Sequence, residues 1–162
     1  MPPLALLAIQ IVGSFAALAL LSLTVLLPRL ASMPRDGALK LLLWPHVLRH
    51  APLALLAPGQ VDASVSSAVL DTIAWGDFAS FVAALAALWA LHRRGPRATR
   101  WVWAFCLVST ADIVVALTTG LGGGVHEHAL GVGWYVLTLY VPVVCVSQAL
   151  IFWRLLAARR IA

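Results

Sequence analysis

Apolar positions in this chain run in blocks of about twenty residues or more, interrupted by short polar or proline- and glycine-bearing breaks. A block of that length matches a helix crossing a hydrocarbon core of ~30 Å at 1.5 Å per residue. Five blocks qualify, at 4–27, 38–57, 66–91, 99–118 and 130–156. The breaks hold Pro28 with Pro34, Pro58-Gly59, Gly95-Pro96 and Gly122-Gly123-Gly124, ordinary punctuation between helices. The pattern predicts an all-α fold: a single-domain, integral membrane bundle of five transmembrane helices without internal repeats. The first block is longer than the ~7–15 apolar residues of a secretory signal, lacks a preceding basic residue and reads as a retained helix.

The second block carries Pro45, Pro52, Arg49, His46 and His50, and an interfacial segment is the competing reading. Charge bias separates the two. Five crossings place Arg29, Arg35, Lys40, Arg93, Arg94, Arg97, Arg100, Arg154, Arg159 and Arg160 on one side, facing only Asp62 and Glu127. Four crossings divide the cations between both sides. The cleaner partition predicts five spans, with the N-terminus outside and the C-terminus cytoplasmic, in a bacterial-type cell inner membrane.

Composition agrees. Hydrophobic residues make up 62% of the chain and charged residues 10%, against roughly 45–50% and 25% in soluble domains. A 162-residue soluble fold cannot hide so much apolar surface. The net charge of +5 does not indicate nucleic acid, because the cations gather at helix ends rather than along one stripe. Cys106 and Cys145 fall in apolar blocks and read as buried thiols.

Candidate chemistry lies in the charges at membrane depth, which are costly there unless paired or hydrated. Treated as one α-helix, positions 46, 49 and 50 share a face. Counting from the basic ends puts Arg49 roughly 16 Å deep, Asp77 roughly 22 Å and Asp112 roughly 20 Å, close enough to pair. Asp71 is expected nearer the outer interface. Trp44 and Trp75, beside Pro45-His46 and Gly76-Asp77, are candidate aromatic walls of an amphipathic ligand pocket. Small residues from Gly76 through Ser80, Ala83, Ala84 and Ala87 offer a seam for close helix approach.

No cofactor is expected. A bis-histidine haem needs mid-membrane histidines on two facing helices, and only the second block has any. His126 and His128, with Glu127 between them, form an unspecific metal-ligand set on a glycine-rich loop. Neither a nucleophile elbow nor a phosphate-cradling loop occurs. In length, span number and orientation the chain resembles the tryptophan-rich translocator-protein family and, more loosely, five-helix sterol isomerases. The Trp-x-Pro-Pro run of the former is absent, and His50 stands where the His-x-x-x-Glu pattern of the latter places Glu. The resemblance is architectural and assigns no function.

The expected function is therefore binding or translocation of a small solute, a proton or an amphipathic ligand, at His46, Arg49, His50, Asp77 and Asp112 within the lipid bilayer. An alternative is a membrane-embedded enzyme acting on a lipidic substrate through a histidine and an aspartate. Another is an accessory subunit whose charges only fix packing beside a partner subunit or further copies of the chain.

Overall fold

The computed structural model describes residues 3–157, so Arg159 and Arg160 of the basic set lie outside the described residues. All regular structure among the described residues is helical. Helix α1 spans Pro3–Ser32, α2 Arg35–Val47, α3 Ser67–His92, α4 Ala98–Gly122 and α5 Gly133–Ala157. Helix α2 continues directly into a 3₁₀ segment, Leu48–Leu56, and a 3₁₀ turn at Val125–Glu127 lies between α4 and α5. Four helices, α1, α3, α4 and α5, are long and apolar enough to cross a membrane.

The predicted break at Pro28 does not occur; α1 runs on to Ser32 and the chain turns at Met33-Pro34. Proline lacks an amide hydrogen, and its ring crowds the carbonyl four residues back. A π-turn at Ser22–Leu26 widens the helix just before Pro28. The same device, at Val136–Tyr140, precedes Pro142 in α5. In both helices the residue four before the proline is a threonine whose hydroxyl donates to a carbonyl one turn back: Thr24 to Leu20 and Thr138 to Trp134, each at 2.8 Å.

The second block is not a uniform α-helix. Pro45 lies inside α2, and Pro52 can neither donate to Leu48 nor tolerate α geometry in Ala51. Between the two prolines the backbone tightens to three residues per turn. Thirteen residues at 1.5 Å and nine at ~2.0 Å still reach about 37 Å.

Contacts at the two ends show how far that segment travels. At one end Arg154 donates to the Met33 carbonyl at 2.6 Å, just before α2 begins. At the other, Leu55 lies against Gly133 at the start of α5. The following loop is pinned to the α4–α5 connection: the Asp62 amide donates to Ala129 at 3.0 Å, and the Ser64 hydroxyl meets His128 Nδ1 at 3.0 Å. Gly131 sits there at φ +50° with its α-carbon against the Gln60 carbonyl; a side chain would begin 2.8 Å from that oxygen. The chain thus passes five times along the bundle. Arg29, Arg35, Arg93, Arg94, Arg97, Arg100 and Arg154, with Asp36 among them, flank the core at one end, the basic end, and Asp62 and Glu127 lie in the loops at the acidic end.

The basic half is the packed half. Leu30, Leu39, Leu43, Leu91, Phe105, Ile151 and Leu155 are fully buried there, together with Ala84 and Ala87 on α3. Lipid tails are as apolar as leucine, so helix association rests on close packing, which small residues at three- and four-residue spacing permit. Ser80, Ala84 and Ala87 supply that stripe, whereas Ala83 is half-buried at its edge.

Candidate functional site

Arg49 is the first buried residue of the 3₁₀ segment, only 3% exposed. Its Nε donates to Asp77 Oδ1 at 2.6 Å, its Nη1 to the Ser109 hydroxyl at 2.7 Å, and its Nη2 to Asp112 Oδ2. The Ser80 hydroxyl donates to that same Asp112 oxygen at 3.0 Å. One guanidinium is therefore held by α3 and α4 together.

The local sequence explains the fit. Asp77 and Ser80 are three residues apart on α3, and Ser109 and Asp112 are three apart on α4, in the opposite chain order. Antiparallel helices in contact bring such pairs face to face. Gly76 allows it, because a side chain there would occupy the position of Asp112 Oδ1. Ser109 and Ser80 complete the cage, although sequence reasoning did not single them out as site residues. Their matched spacing with the aspartates was the available signal.

The polar cluster borders a cavity of about 230 Å³ reaching toward the acidic end, with walls from all five passes. Its lining is aliphatic except at two poles. Arg49, Asp77 and Tyr140 form the deep pole, and His126 stands near the loops. The Tyr140 hydroxyl donates to the Pro45 carbonyl at 2.7 Å, which ties the proline bend of α2 to the π-turn of α5. Residues 49, 52 and 55 all face this cavity, since a 3₁₀ segment eclipses side chains three apart.

That geometry corrects the expected common face of positions 46, 49 and 50. His50 is exposed, its Nδ1 donates to the Val47 carbonyl at 2.9 Å, and its ring leans on Phe81. His46 is fully buried, edge-on to Phe105 at 4.8 Å, and both ring nitrogens are without a hydrogen-bond partner among the described residues. Trp44 and Trp75 do not line the cavity; they are 60% and 56% exposed. Each lies two residues from the side chain it was expected to flank, about 200° around an α-helix, and so faces outward. Asp71 is exposed near the acidic end.

His126 and His128 do not form a joint metal set. His126 Nε2 lies 3.8 Å from Glu127, while His128 is engaged with Ser64. Among the described residues no three His, Cys, Asp or Glu side chains come together around a possible ion. Outside the spans, the Ser64 hydroxyl and amide both donate to Asp62, which holds its carboxyl below the usual range.

Comparison with curated proteins and with solved structures finds no match. Residues 6–156 match one family, and by that match over nearly its whole length the chain belongs to the family described as Domain of unknown function (DUF8737).

Proposed function

We propose that the protein binds a small amphipathic ligand inside a five-span bundle, N-terminus outside and C-terminus cytoplasmic, in a cell inner membrane. The observation that carries this reading is the aliphatic cavity with Arg49, Asp77 and Tyr140 at its deep pole. Apolar walls with a few convergent polar groups are the usual build of a small-molecule site. Irregular backbone at membrane depth is tolerated where protein buries it or a cavity adjoins it, and the 3₁₀ segment and the α5 π-turn both do so here.

Binding is favoured over conduction because, among the described residues, fully buried side chains fill the basic half beyond the cavity. Leu39, Leu43, Leu91, Phe105, Ile151 and Leu155 close it with no measurable exposure. The enzyme reading lacks its acid–base pair, since His46 makes no hydrogen bond to Asp77 or Asp112. The five-span topology rests on the α2–3₁₀ segment being long enough to cross and on the one-sided distribution of cations.

Two measurements test the reading. Cysteine reporters at Ala63 and Arg97, both exposed, should label from opposite faces of the membrane; labelling from the same face removes the topology. Native mass spectrometry of the detergent-solubilised chain against a panel of small amphiphiles should show one-to-one complexes. Ala116→Phe, which sets a ring into the cavity, should abolish them. Unchanged adducts in that variant would place binding elsewhere and sink the cavity as the site.

A further inference from the structure

Resting on the cavity reading above, we infer that the ligand is a cationic amphiphile of about ten heavy atoms in all, an apolar body with one ammonium head set against Asp77. The charges of the site do not balance. Arg49 brings one positive charge to a dry site where Asp77 and Asp112 bring two carboxylates. Among the described residues no second cation lines the cavity at this depth; His126 stands at the other pole. A lone surplus charge at mid-membrane is costly, and the site is complete only when something positive joins it.

The two carboxylates are not equivalent. Asp112 Oδ2 receives both Arg49 and Ser80, and its Oδ1 is packed against Gly76. Asp77 spends one oxygen on Arg49 Nε, while Oδ2 takes no hydrogen bond from any described residue. Asp77 also lines the cavity, whereas Asp112 does not. The free acceptor therefore points to a donor arriving with the ligand.

Arg49 offers an anionic ligand little. Three of its five N–H groups already donate to protein oxygens, and its single charge is already outnumbered by two carboxylates. A zwitterionic aminolipid would carry its phosphate into the same net-negative site, so a free amine is the fitting source. For size, a cavity near 150 Å³ accepts benzene, so one of about 230 Å³ takes roughly ten heavy atoms.

The groups facing Asp77 are Arg49 from the 3₁₀ segment, Asp112 from α4 and Tyr140 from α5; α1 contributes only Leu7 and Ile11 to the cavity.

The test is a matched series on the full chain in phosphatidylcholine nanodiscs: phenethylamine, 2-phenylethanol and phenylacetate, read by calorimetry. Phenethylamine should bind saturably at one site, the alcohol on the order of tenfold or more weaker, and phenylacetate not at all. Asp77→Asn should remove the preference for the amine, and adding phosphatidylethanolamine to the nanodisc should leave the amine's affinity unchanged. Competition by phosphatidylethanolamine would make an aminolipid the source and overturn the free-amine assignment. Equal binding of amine and alcohol, a preference surviving Asp77→Asn, or preferred binding of phenylacetate would overturn the cationic assignment while leaving the cavity as a site. If none of the three binds, and Ala116→Phe changes nothing, the cavity reading fails as well. The ligand series on the native protein needs no variant to fold.

Discussion

The two halves of the bundle are built differently. Toward the basic end, helices pack through leucines and small residues with no measurable exposure, and the α1 π-turn at Ser22–Leu26 is accommodated beside that core. Toward the acidic end, a 3₁₀ segment and a π-turn line a cavity, and glycine-bearing loops close over it. Arg49 sits where the halves meet. The difference teaches that close packing in one half can hold a bundle together while prolines in the other half bend the backbone away from ideal packing and open a site.

The sharpest way to break that comparison is at the junction. Arg49→Ala strands two carboxylates in a dry site and should cost roughly 3–5 kcal/mol, as broken buried pairs generally do. Asp77→Asn, by contrast, leaves one cation with one anion and should keep or raise stability. Combining the two should recover part of the loss. Thermal unfolding in a fixed detergent ranks the variants, and an Arg49→Ala protein as stable as the parent would mean the cluster is hydrated and does not hold the halves together.

A second comparison uses one apolar residue from each half. Leu43 is fully buried, so Leu43→Ala should cost about 2–5 kcal/mol through lost contacts and the hole left behind. Ile73 already borders the cavity and is half-buried; Ile73→Ala should cost less, about 1 kcal/mol or under. Equal costs would erase the distinction between a packed and an open half. Gly76→Ala falls between them, at about 1–3 kcal/mol, because its new methyl meets Asp112 and the α3–α4 contact must yield.

These residues also show what the sequence could and could not reveal. Four long spans were legible because uninterrupted apolar runs have few alternatives, and Arg49 with Asp77 and Asp112 were legible because buried charge has to be paired. The helix end at Pro28 was misplaced because a π-turn absorbs a proline without breaking the rod, and no residue type announces a π-turn. The face shared by positions 46, 49 and 50 was misassigned because a switch to 3₁₀ geometry after Val47 turns His50 outward. Trp44 and Trp75 were misplaced because neighbours in a helical sequence are far apart around its axis. The cavity was invisible because it is a shape made by five passes, not a pattern in any one of them.

The smallest expected effect concerns how the acidic half is closed. Asp62 and Ser64 join the loop before α3 to His128, with the Ser64 hydroxyl at 2.7 Å from Asp62 and 3.0 Å from the imidazole. The two Ser64 donors hold the Asp62 pKa below its usual value of 3.8, with burial opposing weakly. A carboxylate depressed on folding contributes stability that is complete above its unfolded value and is lost as pH falls through the folded one. The clasp should therefore loosen only below about pH 4, and solvent screening keeps the effect small because the group is exposed. Amide exchange at Ser64 and Val65, followed from pH 5 down to about pH 3 and corrected for intrinsic exchange, should lose protection in the native chain. Asp62→Asn should show lower protection throughout and no further loss over that range. Parallel profiles in the two proteins would mean that the loops are held by the Asp62 amide to Ala129 bond alone, so that the open half is closed by backbone and not by charge.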